Sequence, residues 1–362
     1  MNQAKLPKIV FVARDDGGCG QFRIRQPAEF IRRMGLAEVK VFQNIVPEAE
    51  LLWADLVVMQ EMGSTNAGHI VSILLKNKIP FISEFDDFIQ HVSPNNIGGA
   101  GAWNPGNLFI HRAMEQARRS SALTVSTNQL AREYFPYNNL IYVVPNYLDK
   151  DLWDVPIARK NDGKIRIGWC GGNAHGDDLH MVSKVIERIV KEYDGKVVFE
   201  TMGMARQELN GVFAMKDFPE VCPKCNYEGE IHHFLGESFK DYPLVLASKG
   251  WDLAIAPVID NGFGNAKSDL KIKEATAVGL PIVASSVVPY REAVDNGAEV
   301  LLATTYNEWY NSIKELIENP GKREAIAKSN REWIKQYWIQ DNAKNIFRVY
   351  EQIIAVNGVG NK

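Results

Sequence analysis

The segment NAKSDLKIKEATAVGLPIVAS at residues 265–285 places charged side chains directly before a strongly apolar strand. Lys267, Lys271 and Glu274 are spaced i, i+4 and i+7, which puts them on one face of a predicted helix. Ser268 follows Lys267 in the loop or first helical turn. Lysine ammonium groups suit a diphosphate, and a carboxylate suits paired hydroxyl groups. The pattern predicts the wall of a cleft for an anionic ligand, unless it is an ordinary solvated helix face.

Two glycine-rich loops each follow a predicted buried strand and precede a predicted helix. The first contains Gly18 and Gly20, and the second contains Gly172 and His175. Glycine lets a ligand approach the backbone, and the start of a helix favours anions. Neither loop has the dinucleotide or P-loop spacing. The alternatives are a tight strand-to-helix turn for the first loop and a structural histidine for the second.

An acidic pair, Asp86 and Asp87, follows another predicted buried strand in SEFDDFIQHVSP. Carboxylates at a strand end could bind acceptor hydroxyl groups, act as a base or hold a metal ion. The alternative is a solvated acidic turn. Because neighbouring residues on a strand point to opposite faces, only one of the two carboxylates is expected to face a cleft.

The motif CPKC invites a zinc interpretation, with Cys222 and Cys225 as a half-site and His232 and His233 as further ligands. Adjacent histidines rarely bind one ion together, and no second C-x-x-C motif is present. A reduced loop is therefore favoured over a structural zinc site. The segment around 205–240 reads as an insertion in the second half of the chain.

Composition excludes several classes of function. The 362 residues contain 41 Lys and Arg and 44 Asp and Glu, which argues against an obligate polyanion binder. The four cysteines suggest no disulfide framework, so a cytoplasmic location is expected. No apolar run approaches the length of a membrane span. A nucleophile elbow, an H-E-x-x-H motif and a Walker motif are all missing, so a hydrolase or kinase has no support.

The elements that must position these residues alternate between buried strands and amphipathic helices. This alternation predicts an α/β fold with two Rossmann-like, doubly wound parallel sheets. The expected division is an N-terminal domain at 1–153, a C-terminal domain at 154–336 and a C-terminal helix near 337–362 that returns to the first domain. A linker is predicted at 150–164. Ligands bind such sheets at the carboxyl ends of the strands, which here would face one cleft.

The chain resembles glycosyltransferases of the GT-B fold, and most closely the family 4 type of retaining, nucleotide-sugar-dependent enzymes. The resemblance is carried by VSTNQLAREYF, VVPNYLD, IGWCGG, WDLAIAPV, KSDLKIKEATAVGLPIVAS and ENPGKREAIAKSNREWI. The motifs GCG-x-x-R, DD, GG-x-x-H and KS-x-x-K-x-x-E are similar to those of a divergent branch found among bacterial and phage proteins. One departure is Ala266, which stands eight positions before Glu274, where the family often has a glutamate that contacts the donor sugar.

The resemblance implies a UDP- or GDP-sugar donor, no obligatory cofactor and no required metal ion. It also implies that Glu274 binds the donor ribose. The catalytic residues are predicted to be Lys267, Lys271, Asp86 and Asp87. The donor-binding residues are predicted to be Gly18, Gly20, Gly172, His175, Ser268 and Glu274.

The sequence does not decide among four classes of acceptor: a glycan or lipid-linked sugar, a small molecule, a protein, and a hydroxymethylated base in phage-type DNA. Residues 1–150 contain 15 Lys and Arg against 14 Asp and Glu, which does not favour DNA. Five arginines near the first loop are interpreted as a solvated helix face: Arg14, Arg23, Arg25, Arg32 and Arg33. Two other hypotheses are a nucleotide-sugar epimerase on the same fold and an inactive scaffold, the latter motivated by Ala266.

Overall fold

The computed structural model describes residues 5–92, 107–204, 212 and 231–357. Within them lie two six-stranded sheets, and every strand pair in both sheets is parallel. This confirms the predicted pair of doubly wound α/β sheets. The predicted half-site Cys222 and Cys225 lies outside the described residues.

The first sheet has the strand order β2-β1-β3-β4-β5-β6, so the order reverses between β1 and β3. Its strands are β1 (Lys8–Ala13), β2 (Glu38–Gln43), β3 (Leu56–Gln60), β4 (Phe81–Phe85), β5 (Ala122–Val125) and β6 (Ile141–Val143). The helices around it are α1 (Gly18–Gly20), α2 (Gln26–Arg33), α3 (Glu48–Trp53), α4 (Thr65–Lys76), α5 (Leu108–Arg119) and α6 (Asn128–Tyr134). A π-helical turn, Gln21–Arg25, joins α1 to α2, and a 3-10 turn lies at Ile89–His91.

The second sheet has the order β12-β11-β10-β7-β8-β9, and its order reverses between β7 and β10. Its strands are β7 (Ile165–Cys170), β8 (Val197–Met202), β9 (Ile231–Phe234), β10 (Leu253–Ala256), β11 (Ile282–Ser285) and β12 (Leu301–Ala303). The helices that accompany it are α8 (Gly176–Glu192), α9 (Tyr242–Ser248), α10 (Gly262–Ala266), α11 (Leu270–Ala277), α12 (Val288–Asp295), α13 (Tyr306–Glu318) and α14 (Pro320–Trp333). A 3-10 turn at Asn173–His175 precedes α8.

Burial on both faces explains why the strands are apolar without alternation. In β1, Ile9 and Phe11 pack into one hydrophobic cluster, and Val10 and Val12 pack into another on the opposite face. A strand covered by helices on both sides needs apolar residues at every position. The strands of the first sheet contribute to three hydrophobic clusters and those of the second sheet to two, so each sheet has a core of its own.

The chain crosses between the two sheets twice, and the crossings lie side by side. The first contains α7 (Lys150–Trp153), and the second contains a 3-10 turn at Ile334–Tyr337. The amide of Leu148 donates to the carbonyl of Tyr337 at 3.0 Å, and the amide of Ile339 donates to the carbonyl of Leu148 at 2.9 Å. After the second crossing, α15 (Ile339–Val356) packs on α2 and the first sheet, as expected for the C-terminal helix.

Three local features differ from the sequence predictions. Residues 231–234 form the edge strand β9, so the insertion expected near 205–240 extends into a segment that belongs to the sheet. Gly18–Gly20 form a helical turn rather than an open loop. The predicted linker begins with the helix α7. The boundaries of the two domains stay a prediction. No helix among the described residues is long and apolar enough to cross a bilayer.

Candidate functional site

A cavity of about 190 Å³ lies between the two sheets. Elements of both sheets contribute its walls, and all contributing loops follow the carboxyl ends of strands or begin the next helix. Its lining includes these predicted site residues: Gly18, Asp86, Asp87, His175, Lys267, Ser268, Lys271 and Glu274.

Lys267, Lys271 and Glu274 all line the cavity, but they do not share one helix. Lys267 directly follows α10 and has an extended backbone (φ −60°, ψ 164°), and α11 begins only at Leu270. The predicted i, i+4, i+7 face is therefore wrong for Lys267, although the residue reaches the same wall. The break after α10 brings it there, because Ser268 and Asp269 turn the chain into α11.

Glu274 is 8% exposed, and its Oε2 accepts a hydrogen bond from the hydroxyl group of Tyr242 at 3.2 Å. Burial raises the pKa of Glu274 to about 7, although Lys271 and Tyr242 both lower it. The carboxylate thus stands at the boundary between its charged and neutral forms near neutral pH.

The two lysines have different partners. The Nζ of Lys271 donates to the carbonyl oxygen of Cys170 at 2.6 Å, and burial lowers the pKa of this lysine. The Nζ of Lys267 lies 3.8 Å from Oδ1 of Asp87, across the gap between the two sheets. An ammonium group held at this longer distance can turn toward an anion that enters the cavity.

Both Asp86 and Asp87 line the cavity, so the expectation that only one of them would do so is wrong. The strand β4 ends at Phe85, and the alternation of a strand no longer governs the two residues after it. Burial is the largest influence on the pKa of Asp87 and raises it, as does neighbouring Asp86, whereas Lys267 lowers it. Oδ1 of Asp86 accepts from the amide group of Asn146 at 3.3 Å.

His175 lines the cavity, and its Nδ1 lies 2.8 Å from Oδ2 of Asp178 in the first turn of α8. Burial and the charge of Lys267 lower the pKa of His175 to about 4, against the opposing effect of Asp178. The imidazole is then neutral at pH 7. Because a carboxylate only accepts, Nδ1 carries the proton and Nε2 is a hydrogen-bond acceptor.

The glycine loop after β1 is built around the carboxylate of Asp15. Oδ1 of Asp15 accepts from the amides of Gly17 at 2.9 Å and Gly20 at 3.4 Å. A Cβ atom at Gly20 would lie 2.1 Å from the carbonyl oxygen of Asp15, so glycine is required there. Gly18 and Gly172 have no such neighbour within 4 Å, which leaves their surroundings open. Gly172 does not line the cavity itself.

The residue Asn146, which sequence reasoning read only as part of a turn, connects the two domains. Its Oδ1 accepts from Arg23 at 2.8 Å, and its Nδ2 donates to Oγ of Ser268 at 3.0 Å. Its carbonyl oxygen accepts from the buried Lys273 at 3.1 Å. The only available signal was an asparagine after a strand, in VVPNYLD.

The five arginines interpreted as a solvated helix face divide into two groups. Arg32 and Arg33 are exposed and pair with Glu29, as expected. Arg23 is 3% exposed and pairs with Glu84 of β4 at 2.7 Å, which corrects that interpretation. The other two are also bound to carboxylates: Arg14 to Asp15 and Glu61, and Arg25 to Asp16.

Ala266 lies at the position where the resemblance expects a glutamate, and it is 0% exposed. Its side chain belongs to a hydrophobic cluster of the first domain with Phe85 and Tyr134. Its carbonyl oxygen accepts from Oγ1 of Thr127 at 3.0 Å. The end of α10 is therefore a contact between the domains, and a buried glutamate there would lack water.

The two histidines of the zinc hypothesis lie on β9, on opposite faces of the strand. His232 is half-buried with Nδ1 3.3 Å from Glu200, and His233 is buried with Nδ1 3.1 Å from Thr201. Neighbours on a strand cannot direct their rings at one ion. Among the described residues, no group of three or more His, Cys, Asp and Glu side chains could hold a metal ion.

Comparison with known proteins bears on the second half of the chain and on the whole fold. Residues 164–319 match the family model described as "Glycosyl transferases group 1". No curated protein matches the sequence.

Three solved structures share the architecture at low sequence identity. Sucrose-phosphate synthase from Thermosynechococcus elongatus superimposes with a TM-score of 0.71 at 12% identity, over 97% of this chain and 100% of that chain. HepE from Anabaena, in complex with UDP-glucose, gives 0.64 at 15% identity, over 95% and 100%. UDP-GlcNAc 2-epimerase from Neisseria meningitidis, bound to UDP-GlcNAc, gives 0.56 at 13% identity, over 95% and 99%.

The structural likenesses establish the fold of the whole chain, and the family match assigns its second sheet and the surrounding helices to a glycosyltransferase domain. The cavity between the sheets adds lysines and carboxylates on facing walls. The chain has the GT-B fold, and its residues 164–319 match a glycosyltransferase family model.

Proposed function

We propose that this protein transfers a sugar from a UDP-sugar to an acceptor hydroxyl group with retention of configuration. The observation that carries the proposal is the cavity itself, where Lys267, Lys271 and Glu274 face Asp86 and Asp87 from the other sheet. Of the two donor classes that the sequence left open, UDP is preferred over GDP because HepE and the epimerase of the same fold are complexes with uridine nucleotides. The closer assignment, to a divergent branch of the family 4 type, is part of this proposal.

On the donor side, Glu274 accepts hydrogen bonds from the ribose, and Lys267 and Lys271 approach the diphosphate. Ser268 and the open backbone at Gly172 and Gly18 leave room for the phosphate groups. Negative charge grows on the diphosphate as the glycosidic bond breaks. Prepositioned cations stabilise that charge, which lowers the barrier without a protein nucleophile. The ionised lysines take the place of a metal ion.

On the acceptor side, Asp86 and Asp87 bind the attacking hydroxyl group and one of them takes its proton. The pKa of Asp87 is raised, which makes it a better base than an exposed carboxylate. Attack on the face that the UDP is leaving gives retention. The contact of Lys267 with Asp87 joins the two walls of the cavity. Departure of the diphosphate changes the charge beside Lys267, and acceptance of the proton changes the charge of Asp87, so the two events are coupled through this ion pair.

His175 is better suited to a sugar hydroxyl group than to a phosphate. A neutral imidazole with its proton on Nδ1 offers only an acceptor at Nε2, which repels a phosphate oxygen but receives a hydroxyl hydrogen. Its bond to Asp178 at 2.8 Å supports this tautomer. We therefore assign His175 to the donor sugar. His175 thereby supplies a hydrogen-bond acceptor for the donor sugar, which the methyl side chain of Ala266 cannot.

The charge of the first domain favours a neutral, hydroxyl-bearing acceptor such as a glycan or lipid-linked sugar. Each of the five arginines near the first loop is paired with a carboxylate. The wall beside the cavity carries Asp86 and Asp87, which repel a phosphate backbone. A DNA-binding surface needs excess positive charge. Modified DNA is accordingly kept as an outcome of the test rather than as the expected acceptor.

Donor binding and acceptor binding are assigned to different sheets. We propose a donor domain at 154–336 and an acceptor domain at 1–153 completed by the C-terminal helix. The matched glycosyltransferase segment lies inside the proposed donor domain, which supports this assignment.

The test is a thermal-shift and calorimetric panel of UDP, GDP and their sugar conjugates, each with and without EDTA. Binding to the native state raises the melting temperature with affinity. We expect a shift with UDP that EDTA does not abolish, followed by slow hydrolysis of one UDP-sugar. Glycans and hydroxymethylated DNA are then added as acceptors. Absence of binding by any nucleotide in the panel would refute the proposal.

An epimerase is the second candidate, because a UDP-GlcNAc 2-epimerase shares the fold and two carboxylates line the cavity. An epimerase would convert a UDP-sugar into its epimer in the absence of any acceptor. The glycosyltransferase would release only UDP and free sugar under those conditions. Product analysis by NMR therefore separates the two reactions.

A further inference from the structure

Tyr242 is a half-buried tyrosine outside the cavity that holds the proposed donor site. It is the first residue of α9 and lines a second, smaller cavity of about 20 Å³ behind α11. Lys271 and Glu274 line both cavities, so they form the partition between them. The hydroxyl group of Tyr242 contacts this partition from the side of the second cavity, at 3.2 Å from Oε2 of Glu274.

We propose that Tyr242 is a positioning residue, which holds Glu274 ionised and turned so that one carboxylate oxygen is reserved for the donor ribose. The proposal rests on the proposed function, because it assigns Glu274 to the ribose. Oε2 is occupied by Tyr242, and no hydrogen bond to Oε1 forms within the described part of the chain. A single oxygen is then left to accept from the ligand.

The groups around Glu274 define its protonation. Lys271 lies one turn earlier on α11, Tyr242 approaches from α9, Cys170 from the end of β7 and Tyr290 from α12. Tyr242 and the thiol of Cys170 both line the second cavity, and burial raises the pKa of both groups. Both therefore stay neutral, so the Tyr242 hydroxyl keeps the proton that it donates to the carboxylate.

The ring of Tyr242 is fixed by the segment that links the two domains. Trp153, the last residue of α7, is fully buried and meets this ring edge to face, at 5.3 Å between centroids. Such aromatic contacts restrict the ring to one orientation. The hydroxyl group is therefore held in place by packing that is independent of any ligand.

The experiment measures the affinity of UDP for the whole protein between pH 5.5 and pH 8.5 by calorimetry, with Tyr242→Phe as the test variant. Because the ionised carboxylate is the binding form, affinity in the unaltered protein should rise with pH to a plateau with a midpoint near 7. The hydroxyl group stabilises the ionised form. Tyr242→Phe should thus move the midpoint upward by about one on the pH scale and weaken binding roughly fivefold at pH 7.

Two control variants show whether the effect is specific to the Tyr242–Glu274 pair, and a third variant gives an intermediate change for comparison. Glu274→Gln has no carboxylate, so it reports the pH dependence of UDP alone. Tyr310→Phe loses a tyrosine–glutamate hydrogen bond, at 2.8 Å to Glu192, far from the cavity, and should leave the affinity and its midpoint unchanged. Cys170→Ala removes the thiol behind Tyr242 while preserving the carbonyl group that accepts from Lys271, and should shift the midpoint less than Tyr242→Phe.

An unchanged midpoint in Tyr242→Phe, with or without a loss of affinity, would overturn the inference, since a merely structural tyrosine lowers affinity equally at every pH. In that case the proposed function stands if the unaltered protein binds UDP. Failure of the unaltered protein to bind UDP would overturn both the inference and the choice of donor.

Discussion

At the scale of single residues, the proposed reaction depends on how two lysines divide their roles. Lys271 is anchored to the carbonyl oxygen of Cys170 and stands beside Glu274 in the partition between the two cavities. Lys267 faces Asp87 at 3.8 Å. A buried, prepositioned cation contributes more to a charge that develops during the reaction than to the bound ground state.

We therefore expect Lys271→Ala to lower kcat for UDP-sugar hydrolysis by roughly 10²–10³-fold while changing the affinity for UDP by less than about fivefold. Single-turnover hydrolysis and calorimetry measure the two quantities separately. Lys344→Ala, at an exposed position of α15, is the control. A loss of affinity as large as the loss in kcat would show that Lys271 serves binding rather than the chemical step.

Glu61 shows how a site outside the cavity links pH to stability. It follows β3, is 2% exposed and is hydrogen-bonded to Arg14. Burial raises its pKa to about 8, although Arg14 lowers it. The native state therefore binds more protons than the unfolded state between about pH 4.5 and 8. The free energy of unfolding should fall as the pH rises through that window.

Glu61→Gln removes this titration and keeps an oxygen that accepts from Arg14. The expected result is a flatter dependence of the urea midpoint on pH between 5 and 8, with the variant gaining stability relative to the parent at the upper end. A pKa that differs by one between the folded and unfolded states changes the free energy of unfolding by about 1.4 kcal/mol. If the urea midpoints of parent and variant change with pH in parallel, the titration of Glu61 does not cause the pH dependence of stability.

At the scale of elements, the departure at Ala266 has a packing explanation. The end of α10 is inserted against the first domain, where Ala266 joins a hydrophobic cluster and its carbonyl oxygen accepts from Thr127. In this chain α10 serves as a contact between the domains. The short side chain is what permits that contact.

Restoring the glutamate should therefore harm the protein. We expect Ala266→Glu to lower stability by about 3 kcal/mol or more, because the carboxylate would be overpacked and unpaired. It should also weaken UDP binding by separating Lys267 from Asp87. Thermal unfolding and UDP calorimetry check this, with the exposed Asn311→Glu as a control for added charge. A stable variant with tighter donor binding would contradict the explanation and favour a sugar-binding role for this position.

The elements were predictable from the sequence to the extent that their signals are local. Runs such as KIVFVA are apolar at every position because both faces of the strand are covered, and that pattern is visible without a structure. The acidic pair was assigned to a strand end correctly, yet its orientation was not, because the strand ends at Phe85, before both of the residues to which the alternation rule was applied.

Long-range pairing had no such signal. Arg23 and Glu84 are 61 positions apart, and Asn146 and Ser268 are 122 apart, so nothing in their neighbouring residues distinguishes them from surface side chains. The role of Ala266 in the domain contact likewise depends on a partner, Thr127, that is 139 positions away. The glycine loops and the lysine–glutamate segment could be located from the sequence. The long-range contacts that orient these segments in the cavity could not.

At the scale of the whole molecule, the first domain is completed by a helix from the other end of the chain. Helix α15 covers β1 and β3 with Ile346, Phe347 and Tyr350, in a cluster that contains no residue of the second sheet. Stability of the first core should then depend on α15 more strongly than stability of the second core does. This is a property of the fold rather than of any one contact.

Phe347→Ala tests that dependence. Removing a buried phenylalanine costs about 3–5 kcal/mol, and the loss should fall on the first core. Amide hydrogen exchange should accelerate in residues 8–13 and 56–60, whereas residues 253–256 and 282–285 should keep their protection. Val356→Ala, on the same helix but 79% exposed in the parent, should change neither set. Equal acceleration in both sheets would mean that the two cores unfold together as one cooperative structure, joined by the contacts of Asn146 and Ala266 across the cavity.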